Sequence, residues 1–171
     1  MQLKPTFFVF VLMALGPLSQ AHDLTASYTT ARLQSDEVEV QIKVAGDSLW
    51  PLVQEIAPGS LFVRENFETE GKPLLLSFAK TMHEVAVDGK IISPLRIDVT
   101  ISEDNFLFTF VYPRPPSGVL KLKEMYLQKM PPDYASYLRL CDQEGALLAL
   151  AHLNGAKPIF ESRLPAFKPS T

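Results

Sequence analysis

The chain has 171 residues, 47% of them hydrophobic, and 16 Lys and Arg stand against 19 Asp and Glu for a net charge of −3. That length can bury a sizeable core within one domain, and an acidic balance with no basic block argues against a nucleic-acid partner. Cys141 is the single cysteine, so no internal disulfide is available and apolar burial must carry the stability.

The first 21 residues read as a secretory signal peptide. Lys4 supplies a positive start, Phe7 to Leu15 is an unbroken apolar run, Gly16-Pro17 ends any helix, and Ser19-Gln20-Ala21 places small residues before a cut. The run is well short of the roughly 20 apolar residues that a membrane helix needs, and no later stretch reaches that length. Cleavage near Ala21 implies a periplasmic or secreted protein whose mature chain begins at His22. Residues 22–165 are expected to form one domain, followed by a flexible tail at 166–171.

Within that domain, Leu24 to Leu33 is rich in Thr, Ala and Tyr and reads as a strand. Gln34-Ser35-Asp36 is turn-like. Val38, Val40, Ile42 and Val44 then alternate with Glu37, Glu39, Gln41 and Lys43, the clearest period of two in the chain and the mark of a half-buried strand. These two strands are expected to form a hairpin. From Asp47 the spacing of Leu49, Leu52, Val53 and Ile56 predicts one face of a helix, with Pro51 in its first turn. Pro58-Gly59 ends it. In the mixed stretch that follows, Phe62, Val63 and Phe67 are candidate core residues beside the acidic Glu65, Glu68 and Glu70. Pro73 opens a second short helix carrying Leu74, Leu75, Phe78 and Met82 on one face.

The rest reads as β. Val85-Ala86-Val87 and Lys90-Ile91-Ile92 flank Asp88-Gly89, a strong hairpin turn. Leu95, Ile97, Val99 and Ile101 alternate, and after Glu103-Asp104-Asn105 the residues Phe106, Phe108, Phe110 and Tyr112 line one face of a further strand. Pro113, Pro115, Pro116 and Gly118 make a rigid connection to a strand starting at Val119, Leu120 and Leu122. Pro131-Pro132-Asp133 precedes strands at Tyr137–Cys141, Ala146–Leu153 and Ile159–Leu164. Strands of this length and spacing predict a mainly β, antiparallel, immunoglobulin-like sandwich with one or two short helices in its first half.

A signal ending in Ala-His, Ser27-Tyr28 leading into alternation up to Val44, a short helix before Val85-Ala86-Val87-Asp88-Gly89-Lys90, an aromatic strand, and a closing Tyr137–Leu164 segment ending in Leu164-Pro165 resemble the exported soluble domain of HupE/UreJ-type proteins. That family is associated with hydrogenase and urease accessory roles and with nickel or cobalt uptake. Its multi-span membrane part is not in this sequence, so permease activity is not carried over. The resemblance implies an accessory domain, with His22 as the family-like candidate site.

Few residues suggest chemistry of their own. A mature N-terminal His22 can chelate copper or nickel through its amine and ring nitrogen; the alternative is a residue merely exposed by the cut. His83, in Thr81-Met82-His83-Glu84, is either a second metal ligand or a cation complementing a helix dipole. His152 reads as a core or edge histidine in an apolar strand. Cys141 lies beside Asp142 and Glu144, a setting for a buried inert thiol rather than a nucleophile. The absence of Gly-x-Ser-x-Gly leaves a hydrolase only with a dispersed site. Phe106, Phe108, Phe110 and Tyr112 read as core, Trp50 as a core cap or contact patch, and Tyr126, Tyr134 and Tyr137 around Pro131-Pro132 as a candidate surface platform. The expectation is therefore an exported, non-enzymatic accessory domain with a protein partner, such as a component of a metal-uptake membrane system. The alternative is a copper or nickel carrier built on His22.

Overall fold

A computed structural model describes residues 25–58, 66–102 and 104–165. The signal segment, His22, Phe62, Val63, Glu65, Glu103 and the 166–171 tail lie outside the described residues. Ten strands occur in the described part: β1 (Ala26–Leu33), β2 (Glu37–Ala45), β3 (His83–Val87), β4 (Lys90–Ile92), β5 (Arg96–Ser102), β6 (Asn105–Pro113), β7 (Gly118–Glu124), β8 (Ala135–Cys141), β9 (Leu147–Asn154) and β10 (Ile159–Leu164). Two α-helices, α1 (Gly46–Ile56) and α2 (Lys72–Met82), follow β2. A π-helical turn at Phe67–Gly71 leads into α2, and a 3-10 turn at Met125–Lys129 follows β7.

The strands form two sheets, β5-β6-β2-β1-β8-β9 and β10-β7-β3-β4. The expected mainly β sandwich is thus present. Its centre is the β2–β6 pair, whose register sets Val38, Val40, Ile42 and Val44 against Tyr112, Phe110, Phe108 and Phe106. All eight are buried. Residues directly opposite in an antiparallel pair share a face, so each β-branched residue packs beside an aromatic ring, a favourable cross-strand pairing. Burying each such aliphatic side chain contributes about 1.5–3 kcal/mol. Leu120 and Leu122 of β7 join this core from the second sheet, and Leu49, Leu52, Leu75, Phe78 and Met82 join it from the helices.

The β3–β4 turn follows from its residues. Asp88 and Gly89 both have positive φ, 48° and 78°, as a two-residue hairpin of this twist requires. Gly118 sits beside it at φ 126°; a Cβ there would lie 2.6 Å from Asp88 Oδ2 and 2.9 Å from Val87 Cγ1. Only glycine allows β7 to begin this close to the turn. The Val119 N–H then donates to Asp88 Oδ1 at 2.8 Å.

Four details differ from the sequence reading. The helix α1 starts at Gly46, so Pro51 lies in the second turn rather than the first, and Ile56 is exposed. Leu95 is exposed and Ile97 and Ile101 are only half-buried, because β5 is an edge strand with one neighbour. The π-helical turn was not anticipated. Finally, β1 pairs with β8 in parallel, from Ala26 opposite Ala135 to Arg32 opposite Cys141, within an otherwise antiparallel sheet. Strands far apart in sequence are joined by a crossover rather than a hairpin, and alternation carries no information on strand direction.

Candidate functional site

Of the two sequence-nominated ligands, His22 lies outside the described residues. His83 begins β3 directly after α2 and is buried. Its Nδ1 is 3.2 Å from the Tyr112 hydroxyl, and its ring lies 5.1 Å from that of Phe110. Its Nε2 is buried with no hydrogen-bond partner among the described residues. Burial pushes its pKa down to about 3. It is therefore neutral at physiological pH and does not serve as a cation at the helix end, which corrects that expectation. His83 borders a cleft of about 340 Å³ between the β3–β4 hairpin and β5, lined also by Ile92, Ile97 and Phe110. Among the described residues no group of three or more His, Cys, Asp or Glu is placed to hold a metal ion.

The interior holds a polar cluster that the sequence reading missed. Glu124, the last residue of β7, is fully buried. Thr29 Oγ1 donates to its Oε1 at 2.6 Å, and the Tyr126 hydroxyl donates to its Oε2 at 3.1 Å. Ser27 Oγ lies 2.7 Å from that hydroxyl, and Ser136 Oγ lies 3.3 Å from Thr29 Oγ1. Burial raises the Glu124 pKa, opposed by hydrogen bonds from Thr29, Ser136 and Tyr126. Burial and the adjacent Glu124 hold the Tyr126 phenol well above its ordinary value. A signal for this cluster was present: Leu120, Leu122 and Glu124 alternate onto one face, as do Ser27, Thr29, Ala31 and Leu33 of β1. A sealed carboxyl ringed by hydroxyls is an arrangement for tying two sheets together.

The outer face of the six-stranded sheet carries a row of aromatic side chains. Register places Tyr28 of β1 beside Tyr137 of β8, and Tyr137 beside His152 of β9. The two tyrosine rings stack with centroids 5.7 Å apart, and the Tyr137 and His152 rings are 5.1 Å apart. Tyr28 is 51% exposed and Tyr137 48%. In the next row, Arg139 Nε donates to Thr30 Oγ1 at 2.9 Å, and Leu150 opposite Arg139 is 70% exposed. These residues border a shallow depression of about 570 Å³. The three rings lie against one another along the row, the tyrosines near parallel at 23° and His152 tilted by 43°. The outer face here thus presents two tyrosines, the exposed Arg139 and the exposed Leu150 together.

This placement corrects the tyrosine platform: Tyr126 and Tyr134 are buried, and only Tyr137 reaches the surface. His152 is exposed on an edge strand, in keeping with the edge reading. Trp50 is half-buried against the core. Cys141 is buried. Among the described residues no helix is long and apolar enough to cross a membrane. The site and fold define a mainly β sandwich with an aromatic row on one sheet face. No protein-family model matches the chain, and no curated protein matches it.

Proposed function

We propose that this chain is an exported, non-enzymatic accessory domain that docks a protein partner on the Tyr28–Tyr137–His152 face, the partner being a component of a metal-uptake membrane system. The observation that carries the docking role is the ring row itself, two half-exposed tyrosines beside a largely exposed Leu150. Apolar groups gathered on one sheet face cost solubility unless something covers them. The signal-like start supports export, and the resemblance to HupE/UreJ-type exported domains supports the choice of partner.

A photo-cross-linking side chain placed at Tyr137 in producing cells tests the proposal, with the same group at the exposed Lys90 of β4 as control. The expected result is a defined adduct with a membrane transport component from position 137 alone. Adducts of the same kind from both positions, or none from position 137, overturn the docking role. A defined adduct with a protein of another kind removes the link to metal uptake.

A further inference from the structure

The cleft between the β3–β4 hairpin and β5 shares no lining residue with the depression beside the ring row. Its lining is largely apolar: Ile91, Ile92, Ile97, Phe110 and Met125 surround two buried polar side chains, His83 and Tyr112. These two satisfy each other on one side only. Nδ1 of His83 meets the Tyr112 hydroxyl at 3.2 Å, while the buried Nε2 has no partner among the described residues. A buried polar atom in that state lowers the stability of the fold. An apolar side chain at this position would carry no such cost, so the imidazole is better explained by something it binds.

Size, charge and hydrogen bonding narrow the class of ligand. At about 340 Å³ the cleft falls within the range of small-molecule sites. An apolar cavity of roughly 150 Å³ holds one benzene ring, so two fused rings fit here. The charged residues of the lining are one of each sign, Lys80 and Glu84. Burial keeps His83 neutral at physiological pH, so a carboxylate or an ammonium carried to it would meet no buried counter-charge. A hydroxyl both donates and accepts, and it pairs with Nε2 in either tautomer of the ring. We propose that this cleft binds a neutral, two-ring apolar molecule bearing one hydroxyl, which completes the hydrogen bonding of His83. Reaching the buried Nε2 requires one wall of the cleft to give. β4 is that wall: it has three residues, pairs with β3 alone among the described residues, and carries Ile91 at 67% exposure. Short edge segments of this kind open at low free-energy cost.

Titration of the purified protein with naphthol, naphthalene and naphthoate, followed by NMR of the amides and histidine rings, tests the site. The expected result is saturable one-to-one binding of naphthol, with shifts at the His83 ring nitrogens and slower amide exchange in β4. Naphthalene, which lacks the hydroxyl, should bind about tenfold more weakly, and naphthoate more weakly than naphthol. His83→Leu should reduce the affinity for naphthol to that for naphthalene. The comparison of the three probes uses the parent protein and stands whatever the stability of the variant. No saturable binding of naphthol overturns the proposal, as do shifts confined to Tyr28, Tyr137 and His152. Equal affinities for naphthol and naphthalene, or a His83→Leu variant that binds naphthol like the parent, take His83 out of the site and overturn it too. Naphthoate binding as tightly as naphthol overturns the neutral class of ligand.

Discussion

Thr29 Oγ1 donates a hydrogen bond to Glu124 Oε1 at 2.6 Å across the interior, tying β1 of the six-stranded sheet to β7 of the four-stranded sheet. Replacing Glu124 with Ala leaves the Thr29 and Tyr126 hydroxyls without their buried acceptor. A buried unsatisfied polar group costs about 1–3 kcal/mol, so urea unfolding of Glu124→Ala should show a loss of roughly 2–4 kcal/mol. Glu124→Gln retains an acceptor and should stay within about 1 kcal/mol of the parent.

Glu124 and His83 pull stability in opposite directions with pH. The folded-state pKa of Glu124 is raised above its ordinary 4.5 by burial. The native state therefore holds that proton more tightly than the unfolded chain. Its contribution is complete below about 4.5 and is lost as pH rises from there through the raised folded value. Denaturant midpoints measured in a pH series should fall as pH rises above about 4.5, and Glu124→Gln should flatten that fall. A slope unchanged in the variant would show that Glu124 is not the titrating group.

For His83 the folded pKa is lowered from 6.5 to about 3 by burial. The unfolded chain gains a proton that the native state refuses. The stability is present above about 6.5 and is lost as pH falls through the interval down to about 3, with a slope of up to about 1.4 kcal/mol per pH unit. His83→Leu should lessen this acid sensitivity. A His83 resonance titrating near 6.5 in the folded protein would contradict the placement.

Gly118→Ala forces a side chain into a positive-φ position already filled by Asp88 and Val87. The expected loss is roughly 1–3 kcal/mol, read from thermal or denaturant unfolding, and accompanied by increased amide exchange in the β3–β4 hairpin. A neutral result would mean that the turn relaxes freely.

The metal-carrier alternative has its own test. It requires tight one-to-one binding of Cu(II) or Ni(II) by protein starting at His22, lost in His22→Ala and lost when one extra residue precedes His22. Calorimetric titration of the three forms decides it. Binding that survives either change would take His22 out of the account.

Alternation alone determined the two-sided strands of this protein. Val38 to Val44 and Phe106 to Tyr112 announce their inner faces because successive side chains in a strand point to opposite sides, and Asp88-Gly89 announces its hairpin because few residues accept positive φ. Only the tertiary structure decided which strands became neighbours. The parallel entry of β8 beside β1 aligns Tyr28 with Tyr137, and β9 then adds His152, joining three rings from distant parts of the chain into one row. The same packing put Glu124 in the interior and left the apolar β9 at an edge. A local pattern shows that a face is apolar, but whether that face is covered depends on how many strands lie beyond it, and here β9 is last in its sheet.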